Sequence, residues 1–526
     1  MLGCAGMNLS KIFRLILLGQ IFLLAILGWY FRDALNPDAV AYLRIGSYYA
    51  EGNFNLAISG YWGPLLSWLL AIGYKCGLPP LMSARMAMAL SAIVFLWGSK
   101  QLYEVLRLSE RWRLGGLLLA AAASAWWSVQ FITPDLLLSG VLLVAVARMI
   151  SGAWLEAPSH TAITGVWWGV AYLIKAIALP LGVLVILVFG WRAVRKGEVL
   201  FPRIVRSIVL VFAVFGVLAA PWITVLTVKY ERLTFSTTPP ITHTLTGPPD
   251  AERYHPFARH FHTPAAGRIT SWEEPSRMAY QTWSPWENRD YARHQIAVLA
   301  RNSVTVLFLW TSIHLAAVGL LVRWLIVWRN CRARMAMSDL LVLPLCLAAI
   351  YLPCYFTFAE QRFFYVTLPF FFAGTVRWLD DETITPTTRR LISLAICLAA
   401  VFPLFAQVVF LQDRTAIAGN YAAQLAIRMR EAEVLGPIAG SANLPGGRTG
   451  LYVAFHLNQP WHGDELSPTP ESILASGAKF FLVRRASPLA ETLLVRSEFE
   501  NLDERLFRRS EMAFPVQVFA IKPVEN

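Results

Sequence analysis

The stretch SKIFRLILLGQIFLLAILGWYFRDALNPDAVAYLRIGSYYAEGN, residues 10–53, sets the reading of the whole chain. Its first half places Lys11 and Arg14 ahead of an apolar run that continues to Phe31. A helix needs about 20 apolar residues to cross the hydrocarbon core, so this run is long enough. No small-x-small cleavage site precedes Asp33, and a retained anchor is expected rather than a removed leader. The second half changes character at Asp38. From there Tyr42, Arg44, Tyr48 and Tyr49 are interleaved with apolar residues in the pattern of an amphipathic helix lying along the membrane surface.

The composition extends this reading to the full length. The chain has 526 residues, of which 56% are hydrophobic and only 15% charged. A soluble domain carries about 25% charged residues, so a polytopic membrane protein is expected. The six cysteines are scattered with no CxxC or other metal-ligand spacing, and read as packing residues without a disulfide framework.

On the 20-residue template, spans fall near 12–31, 81–104, 114–131, 135–152, 162–175, 177–191, 207–228, 299–322, 339–358, 363–376 and 391–411, about eleven in all. Basic clusters follow the second (Arg107, Arg111, Arg113), sixth (Arg192, Arg195, Lys196, Arg203, Arg206), eighth (Arg323, Arg329, Arg332, Arg334) and tenth spans (Arg377, Arg389, Arg390). All then lie on the cytoplasmic side with the N-terminus, as the positive-inside rule asks. The first loop (32–80), the long loop (229–298) and the tail face outward. The expected location is a bacterial inner membrane, crossed many times.

The expected fold is a polytopic α-helical membrane domain over 1–411, followed by a small extracytoplasmic α/β domain over 412–526. In that tail GLYVAFHL, KFFLVRR and FPVQVFAIKP read as strand-like and NYAAQLAIRMREAEVLG as helical. From 413 onward it carries twelve basic and thirteen acidic residues, a net charge of −1. The net +13 of the chain therefore belongs to the membrane part. It reflects topology and anionic lipid, and no nucleic acid is expected as a partner.

Several ionisable residues sit at outer corners. Asp38 lies just past the first span, where capping a helix and accepting a proton are both open. Asp135 in FITPDLLLSG starts another outer helix, and capping is open there too. Lys175 in GVAYLIKAIALP is an ammonium in an otherwise apolar hairpin and needs an anion or a path to water. Glu360 and Arg362 in FTFAEQRFFYVTLPFFF stand between apolar runs, where a mutual pair is the simplest role. Convergence on one interface is what raises them above individual structural roles. A carboxylate there can take a proton from a hydroxyl, and cations can hold a lipid phosphate whose tail stays in the bilayer. A second outer stretch, GPLLSWLLAIGYKCG, reads as another surface helix. In the long loop His255, His260 and His262 allow zinc binding, although a solvated or substrate-facing loop is the plainer reading. Trp272, Trp283 and Trp286 fit either sugar stacking or an aromatic belt.

In this order, DAVAYLRIGSYYAEG, GYWGPLLSWLLA, SARMAMALSAIVFLW, TPDLLL, GVAYLIKAIALP and EQRFFYVTLPFF resemble the GT-C superfamily of bacterial glycosyltransferases. The nearest group is that of protein mannosyltransferases and lipid A aminoarabinose transferases, and the likeness in layout covers roughly 10–400. The resemblance implies surface helices in the first outer loop and transfer of one sugar, with inversion, from a polyprenyl-phosphate donor. Asp38 matches the position of the family's catalytic acidic residue, which implies a general base, and Asp135 joins it as a catalytic candidate. Arg44, Lys175 and Arg362 are candidates for the donor phosphate, and Tyr42 and Glu360 for substrate contacts. The family's usual Asp-Glu pair is Asp38-Ala39 here, and Trp62-Gly63 precedes Pro64 where a basic residue is common. The sequence requires no cofactor; a divalent metal is the one candidate. The acceptor, whether lipid, glycan or protein, is left open. The rival reading is a multi-span lipid or solute transporter or flippase, for which Lys175 in its broken hairpin would be the pointer.

Overall fold

The computed structural model describes residues 9–248, 260–278, 280–322, 352–380, 386–410, 414–445, 447–507 and 515–522. The opening helix α1 (Leu9–Tyr30) runs through most of the anchor. The Gln20 amide near its middle donates to the Ala92 carbonyl (3.1 Å) and Ser124 Oγ (2.9 Å), on helices α5 (Pro80–Val105) and α6 (Glu110–Gln130). A polar side chain among apolar helices is retained by such bonds between neighbours.

Between α1 and α5, the first outer loop forms α2 (Pro37–Glu51), a single turn α3 (Phe54–Ala57) and α4 (Pro64–Lys75). The two expected surface stretches are therefore helices. Pro37 and Pro64 open α2 and α4, where the missing N–H costs nothing, and Gly52 ends α2 with a left-handed φ of 78°. Ahead of α2, the Asn36 side chain accepts the Ile132 N–H at 2.9 Å. That bond fastens the start of α2 to the corner preceding α7 (Asp135–Ser151).

Helix α7 is buried on all sides except near its C-terminus, which explains its apolar character throughout. Helices α8 (Pro158–Ile174) and α9 (Ala178–Lys196) follow, separated at Lys175, whose extended backbone (φ −157°) ends α8. Gly63 approaches this break so closely that a Cβ there would stand 2.1 Å from the Ile174 carbonyl oxygen. The missing side chain before Pro64 thus lets the first outer loop pack directly against the residue before Lys175. Helices α10 (Phe201–Tyr230), α11 (Thr238–Thr244) and α12 (Arg289–Ile313) complete this half.

Apart from 339–358, most of which lies outside the described residues, each expected span is helical in whole or part. Among the described residues, five helices are long and apolar enough to cross a membrane: Ser10–Tyr30, Pro80–Val105, Ala178–Lys196, Phe201–Tyr230 and Arg289–Ile313. The chain is a multi-pass membrane protein on that measure, and a count of eleven does not follow from it. The expected span 299–322 is not one helix. It begins earlier, stops at Ile313, and leaves the Leu315 N–H to the Ala399 carbonyl of a neighbouring helix at 3.0 Å. Short 3₁₀ and helical pieces, Gln361–Phe364 and Thr367–Asp380, occupy the expected 363–376.

The tail folds around a five-stranded sheet in the order β2-β1-β3-β5-β4. The strands are β1 (Ile438–Ser441), β2 (Trp461–Glu465), β3 (Phe480–Arg484), β4 (Phe499–Asn501) and β5 (Val516–Ile521). Strands β1, β2 and β3 are parallel, whereas β5 pairs antiparallel with both β3 and β4. KFFLVRR and FPVQVFAIKP supply β3 and β5, but GLYVAFHL is a helix, Thr449–Leu457. It is packed between the sheet and α2, so both faces are apolar and no helical periodicity shows. One core runs without interruption from Tyr42 and Leu66 to Leu482 and Val518 on the sheet.

Candidate active site

A cavity of about 1010 Å³ lies where the first outer loop, the α7 corner, the α8–α9 break and the segment 354–363 meet. Its wall is mostly apolar, and its ionisable lining comprises Asp38, Asp135, Lys175, Glu360, Arg362, Arg232 and His243, with the phenols of Tyr42 and Tyr61. A large apolar pocket with a few convergent polar groups is where a ligand site is expected.

Asp38 and Tyr42 lie four residues apart on α2 and so share a helix face. The Asp38 carboxylate takes Arg362 Nη1 at 2.7 Å on one oxygen and the Trp272 indole N–H at 3.3 Å on the other. Both oxygens have side-chain partners from other segments, and Asn36 occupies the N-cap, so Asp38 is not the cap of its helix. Asp135 is buried at the first residue of α7 and receives the Lys175 ammonium at 2.6 Å. Lys175 also stands 4.2 Å from the centre of the Phe363 ring. Its charge is therefore met by both a carboxylate and an aromatic face.

Arg362 is the hub. Besides Asp38 it contacts Glu360 at 2.5 Å and Asp135 at 3.8 Å. Burial would weaken its hold on the proton, but the carboxylates of Asp38, Glu360 and Asp135 outweigh that and hold the guanidinium above its usual range. Three carboxylates face two cations, so this end of the cavity carries a formal net charge of −1. Its cations are already engaged. Arg232, by contrast, is exposed on the cavity wall and makes no ion pair among the described residues.

Of the residues singled out in the sequence, Asp38, Tyr42, Asp135, Lys175, Glu360 and Arg362 are brought together. Arg44 is not. Six residues beyond Asp38 at 100° per residue, it points to a different face of α2, where it donates to Tyr48 Oη at 3.2 Å. His255 lies outside the described residues. His262 and His260 are engaged in local bonds, and no group of three or more His, Cys, Asp or Glu placed to hold a metal occurs among the described residues. The three loop tryptophans part company. Trp272 is buried against Asp38, Trp283 is buried and stacks on His243 (4.3 Å, 13°), and Trp286 is exposed. Tyr61, Arg232 and His243 belong to the cavity but were not among the candidates, and Trp272, named for sugar stacking or an aromatic belt, meets the Asp38 carboxylate instead, in a turn that the Thr270–Glu273 spacing of a capping box marks in the sequence.

No protein-family model and no curated protein sequence matches this chain. Solved structures do share its fold. The crystal structure of ArnT from Cupriavidus metallidurans bound to undecaprenyl phosphate is 16% identical, with a TM-score of 0.56 over 98% of this chain and 98% of that one. The apo state of the same protein is 16% identical, with a TM-score of 0.52 over 95% of this chain and 98% of that one. ArnT is an aminoarabinose transferase, and this chain shares its fold, a helical membrane domain with a small C-terminal sheet domain.

Proposed function

We propose that this protein is an inverting glycosyltransferase that moves one sugar from a polyprenyl-phosphate donor to an acceptor outside the cytoplasm. The observation that carries the reading is the convergence of Asp38, Asp135, Lys175, Glu360 and Arg362, from separate parts of the chain, on one apolar-walled cavity. The fold shared with ArnT, whose structure holds undecaprenyl phosphate, supports the choice of donor.

In the reaction, Asp38 takes the proton of an acceptor hydroxyl as its oxygen attacks the anomeric carbon. The bond from that carbon to the phosphate oxygen breaks, and the phosphate leaves with the electron pair. No covalent intermediate is needed, so the anomeric centre inverts. Once Asp38 is protonated, its claim on Arg362 is lost, and the guanidinium becomes available to the leaving phosphate. Arg232 offers the donor phosphate a cation that makes no ion pair with a carboxylate among the described residues, and Lys175 with Asp135 shapes the wall between them. The apolar lining suits the first isoprene units.

Lys175 would have pointed to a transporter had it been isolated. It is paired with Asp135 beside residues of both outer loops, which supports its membership of the enzyme site. The outward orientation of this site, an inner-membrane location and the partition of the chain near 411 form part of the proposal. The test is purified protein in lipid nanodiscs, supplied with radiolabelled undecaprenyl-phosphate sugars and a cell-envelope extract as acceptor. Asp38→Asn should fold and bind undecaprenyl phosphate but transfer no label; an active variant would reject Asp38 as the base.

A further inference from the structure

We infer that Trp272 is a positioning residue for Asp38, and that the C-terminal sheet holds it in place through the segment 260–273. This rests on the reading of Asp38 as the base. The carboxylate has two oxygens and one must face the acceptor in a defined direction. Arg362 alone would leave it free to pivot about a single contact. The Trp272 indole adds a second contact at 3.3 Å from another direction. An indole N–H only donates and does not titrate, so it orients the carboxylate without competing for the transferred proton.

The indole is itself held. Trp272 is buried, and its carbonyl accepts the Trp62 indole N–H at 3.0 Å. It sits in the 3₁₀ turn Ser271–Glu273, closed by a capping box between Thr270 and Glu273. Glu273 is fully buried, and its Oε1 takes the N–H groups of Ile269 (2.8 Å) and Thr270 (3.0 Å). A carboxylate that accepts two consecutive backbone donors leaves the turn one conformation.

The same segment is tied to the sheet at two points. The Trp461 N–H donates to the Ile269 carbonyl at 2.7 Å, at the start of β2. Seven and eight residues earlier the segment pairs with the free edge of β2: Phe261 bridges Gly463 antiparallel, and His262 N–H donates to the His462 carbonyl at 2.8 Å. Gly463 permits this with a φ of +95°, and a Cβ there would fall 2.3 Å from the His260 carbonyl oxygen. Edge strand, strap, turn, indole and carboxylate form one continuous series of contacts. The tail thereby acquires a role in the chemistry although none of its described residues lines the cavity.

The experiment compares wild type, Trp272→Phe and Gly463→Ala as full-length protein in nanodiscs, with Asp38→Asn as the inactive reference. Trp272→Phe keeps an aromatic ring and removes the donor. With radiolabelled undecaprenyl-phosphate sugars, kcat should fall about tenfold, the scale of one hydrogen bond to a charged group, while KM for the lipid changes less than about twofold. Gly463→Ala should lower kcat in the same sense with undecaprenyl phosphate binding retained. Wild-type kcat in Trp272→Phe overturns the inference. Cryo-electron microscopy supplies a readout independent of turnover: the Asp38 carboxylate should rotate toward Arg362 in Trp272→Phe, and an unmoved carboxylate overturns the inference. If wild type transfers no sugar, or Asp38→Asn retains transfer, the enzyme reading itself fails, and the two maps still decide whether Trp272 positions Asp38.

Discussion

Two clusters of charged side chains adjoin Trp272, one through its contact with Asp38 and one through the next two residues of the chain, and they differ in what surrounds them. In the first, Asp38, Asp135, Lys175, Glu360 and Arg362 border an open cavity, with Glu360 and Lys175 partly reached by solvent. In the second, Glu273, Glu274, Arg268 and Lys229 are enclosed with Tyr48 and Tyr230. Glu274 takes Lys229 at 2.6 Å and the Tyr230 hydroxyl at 2.9 Å, and Arg268 lies 3.6 Å from Glu273. Both sets are rich in ion pairs. The first can exchange partners with a ligand, because one side of each pair faces empty volume. The second has no such freedom, and its role is to lock the long outer loop onto the first.

The largest effect that would sharpen this contrast is at Asp38. Asp38→Asn should reduce transfer by about a thousandfold, the usual range for loss of a general base, with an unchanged melting temperature. The enclosed cluster should respond in the reverse manner. Glu274→Ala leaves Lys229 in a largely buried position without its carboxylate, and should cost about 3–5 kcal/mol of stability, read as a fall in melting temperature in detergent. Folded molecules of that variant should keep near-normal turnover; a loss of kcat without destabilisation would break the division into two roles.

Arg232→Ala offers a finer test, since the residue is exposed and unpaired among the described residues. KM for the polyprenyl donor should rise about tenfold, as for loss of one charge-assisted contact, with no change in stability. The smallest expected effect is a pH dependence at Glu273. Burial, more than its donors Tyr48 and the nearby Arg44 and Arg268 can offset, holds its carboxyl above the ordinary range. In the window between the usual carboxylate value and the raised one, the folded protein keeps a proton that the unfolded chain has released. Stability therefore falls as pH rises through that window. Glu273→Gln should flatten this part of the melting-temperature profile; an unchanged slope would assign it to another group.

The legible parts of the site were the residues whose chemistry conflicts with their surroundings. A lysine in an apolar hairpin and an arginine between two apolar runs both need partners, and each found a carboxylate already singled out. Tyr42 was legible as the residue one turn after Asp38. Arg44, six residues on, lies off that face and does not line the cavity. GLYVAFHL escaped because a segment buried on both sides has no periodic signal, and short apolar runs suit either secondary structure. Trp272 and Arg232 are ordinary loop residues until the loop is folded.

By itself the sequence determined the membrane class, the positions of most of the described membrane-part helices and the need for several ionisable residues to find partners, because burial in an apolar medium penalises any violation residue by residue. Only the tertiary structure decided which partners they took. It set Asp38 between Arg362 and Trp272, paired Lys175 with Asp135, and used the edge of a distant sheet to hold a tryptophan against the base. Those outcomes depend on contacts between segments 40 to more than 300 residues apart, with no local pattern to announce them.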